Sequence, residues 1–418
     1  MAIHSKAALA PPMWEVRREI HELPAAQQPG WDEDPDLAEI RLTLARRPSL
    51  VEPGHMDTFR ALLADVAAGR MQVVQAGDCA EDPAERTPGH LSRKIGLVEA
   101  LAGVVRVNTG RPVVRVGRIA GQFAKPRSRP VELVAGREVA AYRGPLVNRP
   151  EPEPAARRPD PRLLLECHQA AAEMTRYLNG AQHEESLAPA LWTSHEALVL
   201  DYELPQLRRT EDGGLLLTST HWPWMGERTR DPGGAHAALL AAISNPVASK
   251  VGPDATEGDV LALCRRLDPL REPGRLTLIA RMGAAIADRL PPLVAAVREA
   301  GHPVIWLCDP MHANTVRTPC GRKTRYLDVV VREIEEFQRI VPGAGGVAGG
   351  LHLEATPDPV TECLTNEAEL PGIGERYTTL CDPRLNPQQA LAAAGAWTAA
   401  GAPDRGEADD GRRRLMPT

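Results

Sequence analysis

PVIWLCDPMH, residues 303–312, begins as an apolar run and ends in polar residues. A short run of this kind, bounded by turn residues, is typical of a strand buried on both faces of a parallel sheet. The polar residues at its end, Asp309 and His312, need a partner or a function wherever they are buried. Either His312 only caps a hydrophobic core, or it points into an active site at the mouth of a barrel.

Similar apolar runs recur along the chain and give eight candidate strands, most of them followed by a segment with helical spacing of apolar residues. The candidate strands are 71–81, 112–121, 191–198, 215–230, 247–253, 275–283, 303–312 and 349–356, and the helical stretches are 91–107, 161–178, 234–242, 256–266, 283–300 and 326–340. Strands that alternate with helices indicate a parallel sheet, and eight such units predict an α/β fold of the closed (β/α)8 class, the TIM barrel. An open doubly wound sheet is the alternative.

The two ends of the chain differ from this repeating pattern. We expect residues 1–55 to form an N-terminal extension that includes an amphipathic helix at 37–46. Residues 56–400 would then form the catalytic barrel. Residues 401–418 are charged and nearly free of apolar anchors, so they are expected to be a disordered tail.

The composition narrows the class of protein. With 418 residues, 43% of them hydrophobic, the chain can bury a sizeable core. Its net charge of -6 gives no long-range attraction to nucleic acid or to an anionic membrane, so neither is expected as a partner. The seven cysteines form no C-x-x-C pair, which argues against a disulfide framework and a zinc ribbon. Since neither a long apolar segment nor a secretory signal occurs, we expect a cytoplasmic protein.

Cationic residues are concentrated where the candidate strands end, which is where a barrel of this class builds its active site. They are Arg118, Lys125, Arg127, Arg228, Arg230, Lys250 and Arg281. Because these charges would repel one another on one face of an acidic protein, they indicate an anionic ligand such as a phosphate or a carboxylate. The alternative is that they form structural ion pairs with nearby carboxylates, for which the candidates are Glu81, Glu196, Glu203 and Glu227.

A mixed set of metal-ligand atoms is also present: Cys79, His312, Glu354 and Asp382 offer one sulfur, one nitrogen and two oxygens. Such a set suits a borderline divalent ion such as Mn, Co, Fe or Zn better than Mg or Ca. The spacing alone is weak support, but in a closed barrel the first three residues end strands 1, 7 and 8, which are neighbours. His352, on the same strand face as Glu354, is a rival ligand or a supporting residue.

Ten segments, in this order, resemble the type II 3-deoxy-D-arabino-heptulosonate 7-phosphate (DAHP) synthases over about residues 27–394. They are GDCAE, GRIAGQFAKPRS, WTSHEALVLDYE, WMGERTR, KVGP, RMGA, WLCDPMHANT, GGLHLE with VTEC, and CDPRLN. The resemblance implies a metal-dependent (β/α)8 transferase that condenses phosphoenolpyruvate with erythrose 4-phosphate, the entry step of the shikimate pathway. It also implies a homo-oligomer.

The resemblance further implies a role for each matching residue. Cys79, His312, Glu354 and Asp382 would hold a divalent metal ion, Mn or Co, or else Zn or Fe. Phosphoenolpyruvate would be bound by Arg118, Glu227, Arg228, Lys250 and Arg281, with Lys125 beside them. Arg127, Ser128 and Lys323 would receive the phosphate of the erythrose. Glu227, Lys250 and Arg281 are the candidate catalytic residues, Glu227 by orienting the water that adds to the substrate.

The chain departs from the family pattern in places. Ala313 stands where glycine is usual, directly after His312, and is tolerable only if its φ is negative. Pro145 stands where an acidic residue is common. The chain is also short, which resembles the forms of secondary metabolism such as phenazine biosynthesis and implies weak or absent feedback inhibition by aromatic amino acids.

Three other functions stay open. A class I aldolase would use Lys250 as a Schiff base. The same chemistry could act on an amino or imino analogue of erythrose 4-phosphate, because a single substrate atom separates the two. A non-catalytic regulatory homologue has only Ala313 in its favour.

Overall fold

Eight parallel strands close into a barrel in the computed structural model, which describes residues 12–134, 137–180 and 191–399. The strands are β1 (Gln72–Gly77), β2 (Val113–Arg118), β3 (Trp192–Glu196), β4 (Trp222–Met225), β5 (Val247–Val251), β6 (Leu276–Ala280), β7 (Ile305–Cys308) and β8 (Val347–Glu354). Each strand pairs with the next, and β8 pairs with β1. The predicted TIM barrel is therefore confirmed, and the open doubly wound alternative is wrong.

A helix follows each strand. The helices are α1 (Pro88–Thr109), α2 (Leu163–Gly180), α3 (Leu200–Glu203), α4 (Ala235–Ala242), α5 (Glu257–Leu267), α6 (Ile286–Glu299), α7 (Leu327–Gly343) and α8 (Pro387–Gly395). All six predicted helical stretches are confirmed, whereas the one-turn α3 and the short α8 were not predicted. Local sequence sets the ends of α1, since the Thr87 hydroxyl caps its first turn and Gly110, at φ 68°, ends it.

One predicted strand, 215–230, is wrong as a single element. Leu215–Leu217 pairs antiparallel with Leu207–Arg209 in a hairpin, and only Trp222–Met225 belongs to the barrel. Both pieces are apolar and buried, so the pattern of the sequence does not separate them. Two further short hairpins were not predicted: Val131–Val134 pairs with Arg137–Ala140, and Val316–Arg317 pairs with Lys323–Thr324.

Helix Pro53–Ala67 packs at the end of the barrel where the strands begin. Its Phe59 stacks on Trp192 at 4.7 Å and meets Trp222 edge-on at 5.7 Å, and these tryptophans are the first residues of β3 and β4. Phe59, Leu63 and several inward-facing strand residues form one buried cluster. Because this end is filled with apolar side chains, polar chemistry is left to the opposite end.

The N-terminal residues pack on the outside of the barrel. Helices Met13–His21 and Leu37–Arg46 contribute Ile20, Ile40 and Leu44 to the main hydrophobic core, and the second of them confirms the predicted amphipathic helix. The proposed division into extension and barrel at residue 55 stays a prediction, and the predicted tail, 401–418, lies outside the described residues. In the described part of the chain, no helix has the length and apolar character needed to cross a membrane.

Candidate active site

Three of the four predicted metal ligands come from neighbouring strands. Glu354, the last residue of β8, lies opposite Gly77 of β1, and Cys79 follows two residues later. His312 comes from the loop after β7, and its Nε2 lies 3.0 Å from Glu354 Oε1. Asp382 arrives from the segment before α8, where its Oδ2 lies 3.9 Å from Cys79 Sγ. The barrel thus brings together residues that are up to three hundred positions apart in the sequence.

The Lys125 ammonium lies in the middle of three of these ligand atoms. Its Nζ is 2.6 Å from Cys79 Sγ, 3.0 Å from Glu354 Oε1 and 2.7 Å from Asp382 Oδ2. The ligand atoms of these three residues lie within 4.8 Å of one another, close enough to share one metal ion. A buried set of one sulfur and two carboxylates attracts a cation strongly, so the donor set fits a divalent metal.

The charges around Glu354 hold it ionised. Burial opposes ionisation, but the cations Lys125 and Arg325 help to outweigh it, and the pKa of Glu354 stays well below its usual value. For Cys79 burial dominates and raises the pKa of the thiol well above its usual value, against the effect of Lys125. A bound metal ion would favour the thiolate, because its positive charge stabilises the negative sulfur that burial alone disfavours.

The orientation of His312 suits a ligand. Its Nδ1 lies 2.8 Å from Asp309 Oδ2, and burial lowers the pKa of the imidazole, which favours the neutral ring. With Nδ1 donating to the carboxylate, the lone pair of Nε2 faces Glu354 and the other ligands. Asp309 also forms an ion pair with Lys250. This carboxylate therefore connects the predicted metal ligands to the cations that are predicted to bind an anion.

His352 could join Asp309 and His312 in a second group of possible ligands, but both of its ring nitrogens already have partners. Arg118 Nη1 lies 2.6 Å from Nε2, and Nδ1 lies 2.6 Å from Gln75 Oε1. We therefore interpret His352 as a residue that supports Arg118 rather than as a metal ligand.

Arg118 and Lys250 both lie over the ring of Trp224. The Arg118 guanidinium lies 5.2 Å from the centre of the Trp224 ring and the Lys250 ammonium 5.7 Å from it, and all three side chains are buried. Arg118 also donates to the Asp78 carbonyl and forms an ion pair with Glu354. Burial, together with Arg118, lowers the pKa of Lys250 to about 8 against the effect of Asp309. Two desolvated cations on one ring form a strong site for an anion.

The proposed structural ion pairs are mostly not formed. Glu81 accepts hydrogen bonds from the backbone N–H groups of residues 120–122 instead, and Glu203 is bonded to His195 and Ser219. Among the described residues Glu196 forms no ion pair, whereas Glu227 pairs with Arg230 at 2.8 Å. The buried cations pair with the predicted metal ligands and with Asp309, so their charges belong to one network.

Glu227 and Arg281 flank Gly252, which follows β5. A Cβ on Gly252 would lie 3.0 Å from Glu227 Cδ and 3.2 Å from Arg281 Nη1, so glycine leaves room for both side chains. Arg281 Nη2 donates to the His312 carbonyl at 2.9 Å. Glu227 Oε2 is buried and has no hydrogen-bond partner among the described residues. An unpartnered buried oxygen beside an arginine leaves an acceptor for substrate or water.

The remaining predicted substrate residues lie further out. Lys323 Nζ contacts Asp382 Oδ1 at 2.6 Å and so borders the metal-ligand cluster. Arg127 forms an ion pair with Glu132 of the neighbouring hairpin. Ser128 and Arg228 are exposed. Arg127, Ser128 and Arg228 therefore lie outside the group formed by the predicted metal ligands and the buried cations.

Ala313 fits without strain. It is not among the non-glycine residues with positive φ, so the predicted condition for tolerating alanine holds. Its Cβ packs against Gly283, where an added Cβ would approach it to 2.9 Å. Gly283 has a φ of 57°, so a glycine is required there for two reasons.

Sequence reasoning missed two arginines of this site. Arg325 is fully buried, and its Nη1 lies 2.8 Å from Glu354 Oε2. Arg384 forms ion pairs with Asp78 at 2.7 Å and with Glu362 at 2.8 Å, so it braces the segments that carry Cys79 and Asp382. The available signal was their position, since each lies two residues after a predicted site residue, Lys323 or Asp382.

A cavity of about 610 Å³ lies next to the ion pair of Asp78 and Arg384. Asp78, Tyr142, Cys167, Cys381 and Arg384 are among its lining residues, and none of the predicted substrate-binding residues lines it. The cavity therefore adjoins the site without being the substrate pocket that we expect.

Comparison with known proteins places this architecture in a family. The model of the Class-II DAHP synthetase family matches residues 15–188 and 178–397. A probable phospho-2-dehydro-3-deoxyheptonate aldolase of Pseudomonas fluorescens is 52% identical over 392 residues, which cover 93% of this chain and 98% of the relative. The phospho-2-dehydro-3-deoxyheptonate aldolase of Mycolicibacterium smegmatis is 38% identical, with 88% of this chain and 90% of the relative covered.

A solved structure, the truncated 3-deoxy-D-arabino-heptulosonate 7-phosphate synthase of Thermotoga maritima, is a more distant match. It is 14% identical over 78% of this chain and 84% of that one, and its TM-score of 0.39 is too low to support an argument. The family match and the two sequence relatives are sufficient by themselves: the chain belongs to the Class-II DAHP synthetase family.

Proposed function

We propose that this chain catalyses the reaction of its family, the condensation of phosphoenolpyruvate with erythrose 4-phosphate to DAHP and inorganic phosphate, the first step of the shikimate pathway. The observation that carries the proposal is the barrel mouth itself. There the predicted metal ligands are one Cys, one His and two carboxylates. The carboxylates form ion pairs with Arg118 and Lys125, which belong to the set of buried cations. Metal-ligand atoms and anion-binding groups in direct contact are what a reaction between two phosphorylated substrates requires.

Phosphoenolpyruvate would lie among Arg118, Lys250 and Arg281, with Lys125 at the edge of the metal-ligand cluster. The first two are supported by their burial against Trp224, where water is excluded and each charge acts in a medium of low dielectric constant. Lys250 is held by Asp309 and Arg281 by the His312 carbonyl, so both are oriented before the ligand arrives. Arg228, which is exposed, would contribute from the rim.

Cys79, His312, Glu354 and Asp382 would hold the divalent ion, for which we propose Mn or Co, with Zn or Fe as alternatives. When bound, the ion supplies Lewis acidity that polarises the aldehyde oxygen of the second substrate. Since Lys125 Nζ lies between three of the ligand atoms, its ammonium must move when the ion binds, and it is then free to contact substrate.

The bond changes follow from this placement. C3 of phosphoenolpyruvate attacks the aldehyde carbon, and the aldehyde oxygen becomes a hydroxyl on taking up a proton. The electron-deficient C2 that results takes up water and releases one proton, which balances the proton taken up by the aldehyde oxygen. The C2–O bond of the hemiketal phosphate then breaks, the hydroxyl proton leaves with the inorganic phosphate, and the ketone remains. Glu227 would orient that water through its unpartnered Oε2, which lies beside Gly252 and Arg281.

The finer assignments are also proposals. Arg127, Ser128 and Lys323 would bind the phosphate of the erythrose at the rim, and Arg127 would have to leave Glu132 to do so. Service to a secondary-metabolic pathway stays a prediction that rests on the resemblance to the forms of secondary metabolism. A homo-oligomer in the cytoplasm stays a prediction.

The test is phosphate release by metal-stripped protein, with Mn or Co added back and each substrate supplied alone and together. We expect turnover only with metal and both substrates. Turnover that survives a chelator and leaves a borohydride-trapped adduct on Lys250 would instead establish the class I aldolase mechanism. A folded protein that is silent with every metal would contradict the proposal and favour the amino analogue or a regulatory role.

The pH dependence should show Lys250. Its lowered pKa of about 8 means that the folded protein loses this charge at a lower pH than an ordinary lysine does. We expect kcat/KM for phosphoenolpyruvate to fall about tenfold per pH unit above that value, because kcat/KM reports the free enzyme. In Lys250→Arg, whose guanidinium stays charged, the remaining activity should lack this decline. An unchanged decline in that variant would assign it to another group.

A further inference from the structure

Glu333 is a buried carboxylate that the proposed mechanism does not use. It lies on α7 with 4% of its surface exposed, and it forms no ion pair within the described residues. Its Oε1 accepts hydrogen bonds from the backbone N–H groups of Met282, at 3.1 Å, and Gly283, at 2.8 Å. Its Oε2 accepts one from Asn314 Nδ2 at 2.5 Å. One carboxyl group therefore holds two separate loops.

Each loop carries a predicted site residue. Met282 and Gly283 directly follow Arg281, which is the first residue after β6 and belongs to the proposed phosphoenolpyruvate site. Asn314 lies two residues after His312, in the loop after β7. The two loops also touch directly, because Arg281 Nη2 donates to the His312 carbonyl at 2.9 Å. The position of Glu333 thus bears on the distance between the anion-binding arginine and the histidine ligand.

The loop after β6 and the loop after β7 are also packed against each other. Gly283, at φ 57°, leaves room for the Ala313 side chain, because a Cβ on residue 283 would lie 2.9 Å from Ala313 Cβ, so the two loops pack closely there. Asn314 Nδ2 is also bonded to the Pro310 carbonyl at 2.8 Å, which closes the loop on itself. Glu333 is the member of this set that bonds to both loops and belongs to neither.

Burying this carboxylate without a cation has a cost. Burial raises the pKa of Glu333 to about 7, and the two backbone N–H groups and the Asn314 amide only partly offset it. The neighbouring positions of α7, Ile334 and Phe337, fill the same interior with apolar side chains. Packing alone would be better served by an apolar residue, so the three hydrogen bonds are the gain that remains.

We propose that Glu333 is a positioning residue: it fixes the loop after β6 against the loop after β7 and thereby sets the placement of Arg281 relative to His312. The inference rests on the proposed function, since that function gives these two residues their ligands. Glu333 itself touches neither substrate nor metal.

The test measures binding in the absence of turnover, by calorimetric titration of metal-stripped protein with Mn and, separately, with phosphoenolpyruvate. In Glu333→Gln the remaining amide oxygen can accept hydrogen bonds from only one loop, and the new NH2 group faces a donor on the other. We expect Mn and phosphoenolpyruvate each to bind about tenfold more weakly, as for other residues that orient metal ligands. Glu335→Gln, on the exposed side of the same helix, is the matched control and should bind both as the wild type does.

A second variant separates the loops and does not depend on Glu333 being tolerated. Asn314→Ala cuts the bond to the β7 loop and leaves the bonds to Met282 and Gly283, so Mn binding should weaken while phosphoenolpyruvate binding stays nearly unchanged. If both variants bind both ligands as the wild type does, the positioning role is wrong. If the wild type itself binds neither ligand, it is the proposed function that fails.

Discussion

Replacing Cys79 by alanine is expected to lower kcat by at least ~100-fold at subsaturating Mn, because loss of even a residue that supports a metal ligand costs about 10–100-fold. The thiol is the only sulfur in the proposed ligand set, and its Sγ lies 2.6 Å from the Lys125 ammonium. Without it, Glu354 and Asp382 remain as oxygen donors, and the preference for a borderline ion over Mg should fall. The measurement is phosphate release as a function of Mn and Mg concentration.

A second fully buried cysteine gives the control. Cys264, on α5, is as buried as Cys79 and lies away from the site, so Cys264→Ala should cost stability but leave the metal dependence of kcat unchanged. If Cys79→Ala kept the wild-type Mn dependence, the sulfur would be a structural thiol, and its place in the proposed ligand set would be wrong.

The barrel could be predicted from sequence because parallel strands are buried on both faces. VASKV and LTLIA form β5 and β6, and every residue of both is buried, so each is a largely apolar run without alternation. The short hairpins gave no such signal. Val316–Arg317 and Lys323–Thr324 pair over two residues each, too few to show a pattern, and the Lys323 carbonyl also accepts a hydrogen bond from the Tyr377 hydroxyl in the segment before α8. The run at 215–230 failed for a different reason: a buried hairpin strand and a barrel strand are alike in composition, so the sequence does not separate them.

The site could be predicted in part. The rule that chemistry lies where barrel strands end located Cys79, His312 and Glu354, and closure of β8 on β1 brings them together. The rule does not predict which side chains contact one another. That Lys125 would lie among the proposed metal ligands, or that Asp309 would join His312 to Lys250, depends on side-chain directions that periodicity leaves open.

Arg325→Met is expected to destabilise the metal-free protein by about 3–5 kcal/mol, the usual cost of removing one partner of a buried ion pair. Arg325 is fully buried, and its Nη1 lies 2.8 Å from Glu354 Oε2, so methionine fills much of the volume but leaves that carboxylate with less positive charge around it. The measurement is the free energy of unfolding in urea. Arg322→Met, exposed in the same hairpin, should cost under ~1 kcal/mol, as exposed charges do.

The same variant tests the metal site through its stability. If Glu354 is a metal ligand, a bound divalent ion supplies part of the positive charge that Arg325→Met removes, and the loss of stability should be smaller with saturating Mn than without it. Mn should also stabilise the wild type, because it binds the folded chain, but by less than it stabilises the variant. If the loss is equal with and without Mn, then Arg325 and the ion act on separate groups, and Glu354 is a structural carboxylate that serves Arg325, Arg118 and Lys125 alone.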